Sequence, residues 1–463
     1  MDRIGIDYTN VLASTLGSAQ HGITEEELAA FAAPSRAALR AVLARRERDL
    51  AWLDLPWDHA THERILAYAA GVQGRFRNVV VLGIGGSALG SSALHGALNS
   101  PFHDLSSSTL PRLFVLDNVD PDLVGEFQDC FAASECLFVV ISKSGTTPET
   151  LAQFLIFRRA LVESLGEDGH AEHVVIITAA EGGPLRAIAE REGYASFVVP
   201  EGVGGRFSVL SAVGLVPAAL VGIDVKGLAA GAAAIAEVCA SEDLSDNPAL
   251  CYAAIQTAMQ HAKRKPIAVT FAYGQRLAGL ASWYAQLVAE SLGKRRARDG
   301  RLVETGPTPV RALGVTDQHS QVQLYVEGPH DKWFTLLEVE QADHTLEIPA
   351  GWDDLESVAW LSGRTLNELF HAEREGTRIA LTEARRPNCT IRFPSVTPHT
   401  IGQYLYMQEL AVAVMGEHYG VDAFDQPGVE AGKVAASALL GRAGFEARRA
   451  EIEAARARAP RRV

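Results

Sequence analysis

The feature that most constrains this chain is a series of short apolar runs, each followed by a stretch with helical spacing. The first run extends from Asn78 to Ile84 and is closed by glycines. Uninterrupted apolar runs of this length are typical of parallel strands buried on both faces. Strands that alternate with helices predict a parallel sheet covered by helices on both sides. Four further runs continue the pattern, at Leu113–Leu116, Leu137–Ser142, Val174–Thr178 and Phe197–Pro200.

The second half of the chain repeats this pattern less regularly. A helix rich in small residues, Ala229–Val238, could link two lobes, and residues 1–75 carry charges at helical spacing among Ala and Leu. The strands predicted here are Ile267–Tyr273, Gln323–Val326, Phe334–Val339 and Arg378–Leu381. We therefore predict an α/β protein with two doubly wound parallel-sheet lobes, an N-terminal helical segment and a C-terminal helical tail. The predicted boundaries are 1–75, 76–225, 226–420 and 421–463.

Charge, hydropathy and cysteine usage exclude several classes of function. The 463 residues carry a formal net charge of −14, which repels nucleic acid and anionic membrane surfaces. The longest apolar stretch, Val209–Ile223, is too short to span a bilayer, and no signal-peptide pattern follows Met1. The five cysteines show no metal-binding spacing and suit a reducing compartment. We expect a cytoplasmic protein with no nucleic-acid or membrane partner.

The histidine pattern gives no reason to expect a metal ion or another cofactor. Two pairs, His59-x-x-His62 and His170-x-x-His173, have a spacing that a metal site could use, but neither belongs to an H-E-x-x-H helix. Surface or capping roles are favoured for these four side chains. Two basic segments are interpreted as solvated surface, Lys294–Arg298 and the arginine-rich stretch from Phe445 to Val463.

The turn after the first predicted strand has a composition that suits a bound anion. Gly83-Ile-Gly85-Gly86-Ser87-Ala88 leads into a predicted helix, Ala88–Leu98. Glycines let the backbone approach a ligand closely, and a helix N-terminus offers unpaired N–H groups. The segment also matches the G-x-G-x-x-A dinucleotide pattern, with Asp117 at the end of the next strand. An NAD-dependent dehydrogenase loop and a ligand-free tight turn remain alternatives at this point.

A second loop of this kind follows the third predicted strand and changes the balance. The segment Ser142-Lys143-Ser144-Gly-Thr-Thr147-Pro148-Glu-Thr150 contains five hydroxyl residues within nine positions. Thr147 is a natural N-cap and Pro148 a natural first helical residue. Hydroxyls and backbone N–H groups gathered at a positive helix end favour a phosphate monoester. A dinucleotide enzyme has no obvious use for this loop, so the dehydrogenase interpretation becomes less favoured than a phosphate-monoester site.

Four further segments, read with these loops, resemble the glucose-6-phosphate isomerase family, whose two lobes are sugar-isomerase (SIS) folds. They are Gly204–Ser211 (GGRFSVLS), Glu290–Lys294 (ESLGK), Asp317-Gln-His319 and Phe424–Lys433 (FDQPGVEAGK). The first and last are the signature stretches of that family, and all the segments occur in its order. The resemblance implies reversible isomerisation of glucose 6-phosphate and fructose 6-phosphate, without a cofactor.

The same resemblance implies roles for individual residues. The phosphate and nearby sugar oxygens would be held by Gly86, Ser87, Ser142, Ser144, Thr147 and Thr150. Lys143, Gln286 and Gln426 would lie beside the substrate. The catalytic group would comprise Arg206, Glu290, His319 and Lys433. The family acts as a homodimer in which the histidine crosses the interface, so His319 would serve the site of the partner subunit.

The chemistry of an aldose–ketose isomerase fits these residue types. One base must move a proton between C2 and C1 through a cis-enediolate, and Glu290 is expected to do so, made more basic by its place at a helix end before Gly293. Arg206 would stabilise the enediolate charge. His319, assisted by Lys433, would open the sugar ring, because imidazole titrates near neutral pH. A regulatory SIS protein that only binds a sugar phosphate remains the alternative, although it need not keep these four residues together.

Overall fold

The computed structural model describes residues 3–106 and 109–456, which contain twelve strands and eighteen α-helices. The strands are β1 Gly5–Asp7, β2 Asn78–Leu82, β3 Arg112–Leu116, β4 Cys136–Ile141, β5 Val174–Thr178, β6 Ala195–Val198, β7 Ile267–Tyr273, β8 Lys294–Arg296, β9 Leu302–Thr305, β10 Thr308–Gly314, β11 Lys332–Val339 and β12 Asn388–Phe393. The last seven positions of the predicted tail, 457–463, lie outside the described residues.

The helices occupy the segments between the strands and both ends of the chain. They are α1 Ala13–Leu16, α2 Glu25–Ala30, α3 Ala32–Leu43, α4 His59–Val72, α5 Leu89–Leu98, α6 Pro121–Cys130, α7 Pro148–Leu165, α8 Pro184–Glu192, α9 Ala212–Leu220, α10 Val225–Val238, α11 Pro248–Thr257, α12 Ala278–Leu292, α13 Val322–Glu327, α14 Glu356–Ala359, α15 Leu366–Glu383, α16 Pro398–Tyr419, α17 Glu430–Leu439 and α18 Glu446–Arg456. None of the helices in the described ranges is both long and apolar enough to cross a membrane.

The first sheet is fully parallel and has the strand order β3-β2-β4-β5-β6. Alternate residues of each strand enter different cores: Val79 and Val81 face one, and Val80 and Leu82 face the other. Helices therefore cover both faces, which explains why the strands read as uninterrupted apolar runs. The chain leaves β2 toward β3 and returns to β4 on the other side, so the switch in winding direction lies between β2 and β4.

The second sheet repeats this order and gains a strand from the N-terminal segment. Its order is β1-β12-β11-β7-β10, and all its pairs are parallel except that of β1 with β12. Within the parallel part, the strand earliest in the sequence, β7, lies between β10 and β11, as β2 lies between β3 and β4. The three-residue strand β1 is joined to β12 by an ion pair of 2.6 Å between Asp7 and Arg392. The α/β class with parallel sheets is confirmed, but the N-terminal segment is not purely helical.

Two of the predicted strands are wrong. Gln323–Val326 lies within α13, where Tyr325 is buried and Leu324 is 52% exposed. Arg378–Leu381 lies within α15, whose start is fixed by a capping box between Thr365 and Glu368. A run of four residues cannot by its periodicity distinguish a strand from part of a helix. For Arg378–Leu381 the capping box upstream is the helix signal that the strand interpretation did not use.

One helix, α16, joins the two sheets through a shared core. Its 22 residues are almost all buried, and it packs against α3, α10, α11 and α12. The core around it receives side chains from both sheets, including Val81 and Ile141 from the first and Leu337 and Ile391 from the second. Because the two lobes share this apolar core, the residues that follow strands of either sheet are held in a fixed relation.

His418, near the end of α16, makes the stability of this junction dependent on pH. Its ring nitrogens lie 3.2 Å from Ser35 Oγ and 3.1 Å from Thr257 Oγ1, so it connects α16 with α3 and α11. Burial lowers the pKa of His418 to about 4. Because the unfolded chain takes up this proton near pH 6.5, stability is complete above that pH and declines as the pH falls toward 4. We expect the free energy of unfolding to fall between pH 7 and pH 5 by about 1–2 kcal/mol more in the wild type than in His418→Gln. Urea unfolding of both proteins at the two pH values measures this difference, and equal losses would contradict it.

Candidate active site

Arg206 lies at the centre of a polar cluster that draws on three separate parts of the chain. It occupies a 3-10 turn, Gly205–Phe207, and is only 6% exposed. Its Nη1 donates to Glu290 Oε2 at 3.0 Å and to Gln426 Oε1 at 2.9 Å, and its Nε donates to Ser291 Oγ at 3.0 Å. Its Nη2 donates to the carbonyl oxygens of Ala423 and Asp425 at 2.9 and 3.2 Å. The planar guanidinium therefore fixes α12 and the 423–426 segment relative to each other.

The helix α12 presents Gln286 and Glu290 to this cluster, one turn apart on the same face. Gln286 Nε2 donates to Glu290 Oε1 at 2.9 Å, so each carboxylate oxygen of Glu290 receives a hydrogen bond. The Glu290 side chain is 31% exposed, while Arg206 beneath it is almost fully buried. The carboxylate is thus held in one orientation with an edge open toward solvent, which is the arrangement that a base acting on a small molecule needs.

Burial and the neighbouring carboxylate act in opposite directions on the pKa of Arg206. Burial lowers the pKa of Arg206 from its usual value, and the Glu290 carboxylate opposes this effect. An arginine keeps its proton under such conditions because its ordinary pKa is far above neutrality. From the sequence we expected only the helix end to act on Glu290, whereas the structure also places a fixed cation beside its carboxylate. The pair supplies one base and one permanent cation at adjacent positions.

The turn after β2 packs directly against the turn that carries Arg206. A Cβ atom at Gly86 would lie 2.2 Å from the carbonyl oxygen of Gly205, so only glycine allows this approach. Gly85 has a φ of +58°, and a Cβ there would lie 2.8 Å from Gln286 Nε2. The glycines of this loop therefore allow three segments to meet around one point, which the sequence pattern alone could not specify.

Gly86→Ala should separate these segments and reduce catalysis. The added methyl group would push the turn after β2 away from Gly205 by about 1 Å, a displacement large enough to lower turnover by about 100-fold. Gly96→Ala is the matched control, because a Cβ at Gly96 in α5 meets nothing within 4 Å. Steady-state kinetics of both variants tests this expectation, and full activity of Gly86→Ala would show that the close approach is not needed.

The hydroxyl-rich loop follows β4 and begins α7, as predicted. Thr147 is the N-cap residue and Pro148 the first helical residue, but the Thr147 hydroxyl lies 2.8 Å from Ser142 Oγ and does not cap the helix. Ser144 Oγ accepts hydrogen bonds from the backbone and side chain of Thr146. The buried Thr150 hydroxyl has no hydrogen-bond partner among the residues that the structure describes. The helix end thus keeps uncapped N–H groups and polar side chains, which suits an anion.

Lys143 connects this loop with the segment that precedes Arg206. Its Nζ donates to the carbonyl oxygen of Val203 at 2.7 Å. Burial lowers the pKa of Lys143, and the nearby Glu201 carboxylate opposes this effect. The loops after β2 and β4 therefore both contact the 203–205 segment that leads to Arg206, one through Gly86 and the other through Lys143. They diverge at the switch in winding direction, where open α/β sheets bind their ligands.

The structure does not bring His319 and Lys433 into this cluster. His319 is exposed and follows β10, the edge strand of the second sheet. Lys433 lies on α17 with its side chain 59% exposed, and its Nζ is 2.9 Å from Glu430 Oε1. Within residues 3–106 and 109–456, no hydrogen bond or ion pair joins either side chain to Arg206, Glu290, Gln286 or Gln426. Their assignment to the catalytic group stays a prediction.

One group of possible metal ligands lies outside the cluster. Ligand atoms of Glu167, His170 and Glu192 are within 4.8 Å of one another. However, Arg158 donates to both carboxylates, at 3.2 and 2.7 Å, and so supplies the positive charge between them. The ring nitrogens of His170 lie 2.8 Å from the Glu167 carbonyl oxygen and 2.8 Å from the hydroxyl of Tyr194. This group has the character of an ion-pair network.

Lys294, next to the cluster, differs from its prediction. The interpretation of Lys294–Arg298 as solvated surface is wrong for its first member, because Lys294 is only 7% exposed. Its Nζ donates to the backbone carbonyl oxygens of Glu290 and Ser291 at 2.6 and 2.8 Å. The available signal was its place directly after Gly293, where the last carbonyls of α12 need donors.

Comparison with known proteins assigns this arrangement to a family. The model of the phosphoglucose isomerase family matches residues 64–455, which include every residue of the cluster. The chain belongs to the phosphoglucose isomerase family. Two relatives named glucose-6-phosphate isomerase are similar over nearly their whole length. The one from Carboxydothermus hydrogenoformans is 44% identical, covering 96% of this chain and 97% of the relative. The one from Rubrobacter xylanophilus is 42% identical, covering 96% and 100%.

Solved structures of similar proteins have the same architecture. A hypothetical protein from Thermus thermophilus superposes with a TM-score of 0.84 at 37% identity, covering 95% of this chain and 100% of that one. A glucose-6-phosphate isomerase from Chlamydia trachomatis superposes with a TM-score of 0.81 at 22% identity, covering 95% and 89%. The second comparison concerns the fold alone. Both support the order of strands and helices described above.

Proposed function

We propose that the chain catalyses the reversible isomerisation of glucose 6-phosphate and fructose 6-phosphate in the cytoplasm, without a metal ion or other cofactor. The observation that carries this proposal is the Arg206–Glu290 pair, 3.0 Å apart and adjoining two anion-type loops, in a member of this family. Family membership supports the reaction, and the cluster supplies the base and the cation that the reaction requires. The free cysteines, four of them buried, suit a reducing compartment.

Glu290 moves the proton between C2 and C1 in this proposal. Both of its oxygens are oriented, by Arg206 and by Gln286, so the carboxylate can address two adjacent carbons from one face without turning. As the proton leaves carbon, negative charge develops on the substrate oxygens. Arg206 is rigidly held by five hydrogen bonds to α12 and the 423–426 segment, so it stabilises that charge without reorganising.

The phosphate group occupies the start of α7 in this proposal. Ser142, Ser144, Thr147 and Thr150 surround a helix end whose N-cap side chain does not cap it. A phosphate dianion satisfies uncapped N–H groups and benefits from the helix dipole. Gly86, Ser87, Lys143 and Gln426 then line the space between the phosphate and Glu290. Binding at a distance from the reacting carbons holds the open-chain sugar in reach of the base.

Ring opening falls to His319, assisted by Lys433, and the assembled site requires a second subunit. His319 is exposed and lies in the segment that follows the edge strand β10, where another chain can approach it. Exposed apolar side chains in the second lobe and the C-terminal helices support such an association. They include Trp352 (74% exposed), Trp360 (60%) and Leu440 (83%). We propose a homodimer in which His319 serves the site of the partner.

The reaction is tested by converting fructose 6-phosphate to glucose 6-phosphate, coupled to an NADP-linked glucose-6-phosphate dehydrogenase, with EDTA present. Rapid turnover supports both the reaction and its independence of metal. A folded protein that binds the sugar phosphate without converting it would overturn the proposal in favour of a regulatory role. Turnover that EDTA abolishes and a divalent metal restores would overturn only the absence of a cofactor.

The contribution of His319 across the interface is tested by mixing two inactive variants. Glu290→Gln and His319→Asn are each expected to be nearly inactive. If the histidine acts across the interface, each mixed dimer contains one intact site, and refolding an equal mixture restores about a quarter of wild-type activity. If Glu290 and His319 act within one chain, every site keeps one defect and no activity returns. Light scattering of the mixture confirms that dimers have formed.

A further inference from the structure

Lys294 is a buried cation next to the base that no step of the proposed reaction uses. It is the first residue of β8 and is 7% exposed, whereas Arg295 and Arg296 after it are exposed. Burying an ammonium group is costly unless hydrogen bonds and charges compensate it. The groups that contact the Lys294 ammonium therefore need to compensate the cost of its burial.

The partners of Lys294 are the end of α12 and the segment that carries Gln426. Its Nζ donates to the carbonyl oxygens of Glu290 and Ser291, which lie in the last turn of the helix and have no partner within it. The same Nζ lies 3.6 Å from Asp425 Oδ1. The backbone carbonyl of Asp425 in turn accepts from Arg206 Nη2. Lys294 thus contacts the same two segments that Arg206 joins.

We propose that Lys294 is a positioning residue for Glu290: it fixes the last turn of α12 and neutralises the negative end of that helix beside the carboxylate. This inference rests on the proposed isomerase function. A helix carries a partial negative charge at its C-terminus, which disfavours an ionised carboxylate there. An ammonium bonded to the final carbonyls offsets that partial negative charge beside the Glu290 carboxylate.

The charges around Lys294 come from three directions. Burial lowers the pKa of Lys294 most, and the positive charge of Arg206 lowers it further. The carboxylates of Asp425 and Asp422 oppose this effect. Glu290 lies one turn before it on α12. Without the ammonium, the negative charges of Asp422 and Asp425 are no longer offset by Lys294. The partial negative charge at the end of α12 then also acts on Glu290 without opposition. Both changes act in the same direction, against the ionised base.

The test compares Lys294→Met, Lys294→Gln and Lys294→Arg with the control Arg296→Met. Arg296 lies on the same strand, is exposed, and donates to the carbonyl oxygen of Gly300. For Lys294→Met we expect kcat to fall about 10-fold with little change in KM, and the acidic limb of the kcat/KM profile to move up by about 0.5–1 pH unit. Lys294→Gln can still donate to the carbonyls but has no charge, so it should show the same shift if the Met variant does not fold. Lys294→Arg and Arg296→Met should keep the wild-type limb.

These outcomes separate positioning from a merely structural role. A Lys294→Gln protein with a lowered melting temperature but the wild-type kcat and pH profile would overturn the proposal. The same limb shift in Lys294→Arg would also overturn it, because the charge would then be irrelevant. The wild-type assay comes first: its failure removes the proposed reaction, whereas normal wild-type turnover with unchanged variants removes only the role of Lys294.

Discussion

Glu290→Gln is expected to lower kcat by about 1,000-fold, within the range that a general base contributes, and to leave KM nearly unchanged. Glutamine has the same shape and can still accept from Arg206, so the cluster should stay assembled. It cannot accept a proton from carbon. The loss should therefore appear in the chemical step, and exchange of the substrate C2 proton with deuterated water should slow by the same factor. Coupled kinetics and proton NMR measure the two effects.

A matched control distinguishes loss of the base from loss of an ion pair. Glu417 forms a two-pronged ion pair with Arg298, at 2.7 and 2.6 Å, outside the cluster. Glu417→Gln removes a carboxylate from another arginine pair, whose arginine is more exposed than Arg206, and should retain wild-type kcat. If Glu290→Gln keeps more than a tenth of the wild-type kcat, another group must be the base, and the proton-transfer assignment fails.

The first sheet could be predicted from the sequence because its strands are buried on both faces. Val79–Leu82, Leu137–Ile141 and Val174–Thr178 are almost wholly apolar, and each of these three strands was predicted. The second sheet was predicted less well. β1 has three residues and pairs with β12 across nearly the whole chain, as the ion pair of Asp7 with Arg392 shows. Pairings so distant in sequence leave no local pattern.

The candidate site, too, was predicted only in part. The motifs around Arg206 and Glu290 were identified, and the structure places these two residues together with Gln286 and Gln426. The close approach of Gly86 to Gly205, where an added Cβ would lie 2.2 Å from the Gly205 carbonyl oxygen, could not be read from either motif, since it depends on how two turns from different segments pack. Lys294 was misread because a run of basic residues resembles solvated surface, and only the helix end before it shows why its first member is buried. His319 and Lys433 were identified from motifs, and one chain leaves both exposed.

Arg206→Lys is expected to lower kcat by about 100-fold and to raise KM much less, because its charge matters most when the enediolate forms. Lysine keeps a positive charge but cannot reproduce a fork that donates to Glu290, Gln426 and Ser291 at once. The remaining ammonium would be drawn toward one partner, and the other acceptors would lose their donor. Steady-state kinetics at saturating and limiting fructose 6-phosphate separates the effect on kcat from the effect on KM.

Arg386→Lys is the control for the general cost of replacing a buried arginine. Arg386 is 6% exposed and donates to the carbonyl oxygens of Val326 and Gly328, outside the cluster. Both variants should lose stability, but only Arg206→Lys should lose kcat.

Binding of an aldonate phosphate, whose planar carboxylate resembles the enediolate, is a second test of Arg206. Affinity for the aldonate phosphate should fall with kcat/KM, whereas a sugar-alcohol phosphate that cannot resemble the enediolate should bind nearly as before. Equal losses for both ligands would mean that Arg206 binds substrate and transition state alike, and it would then contribute to binding and not to the rate of proton transfer.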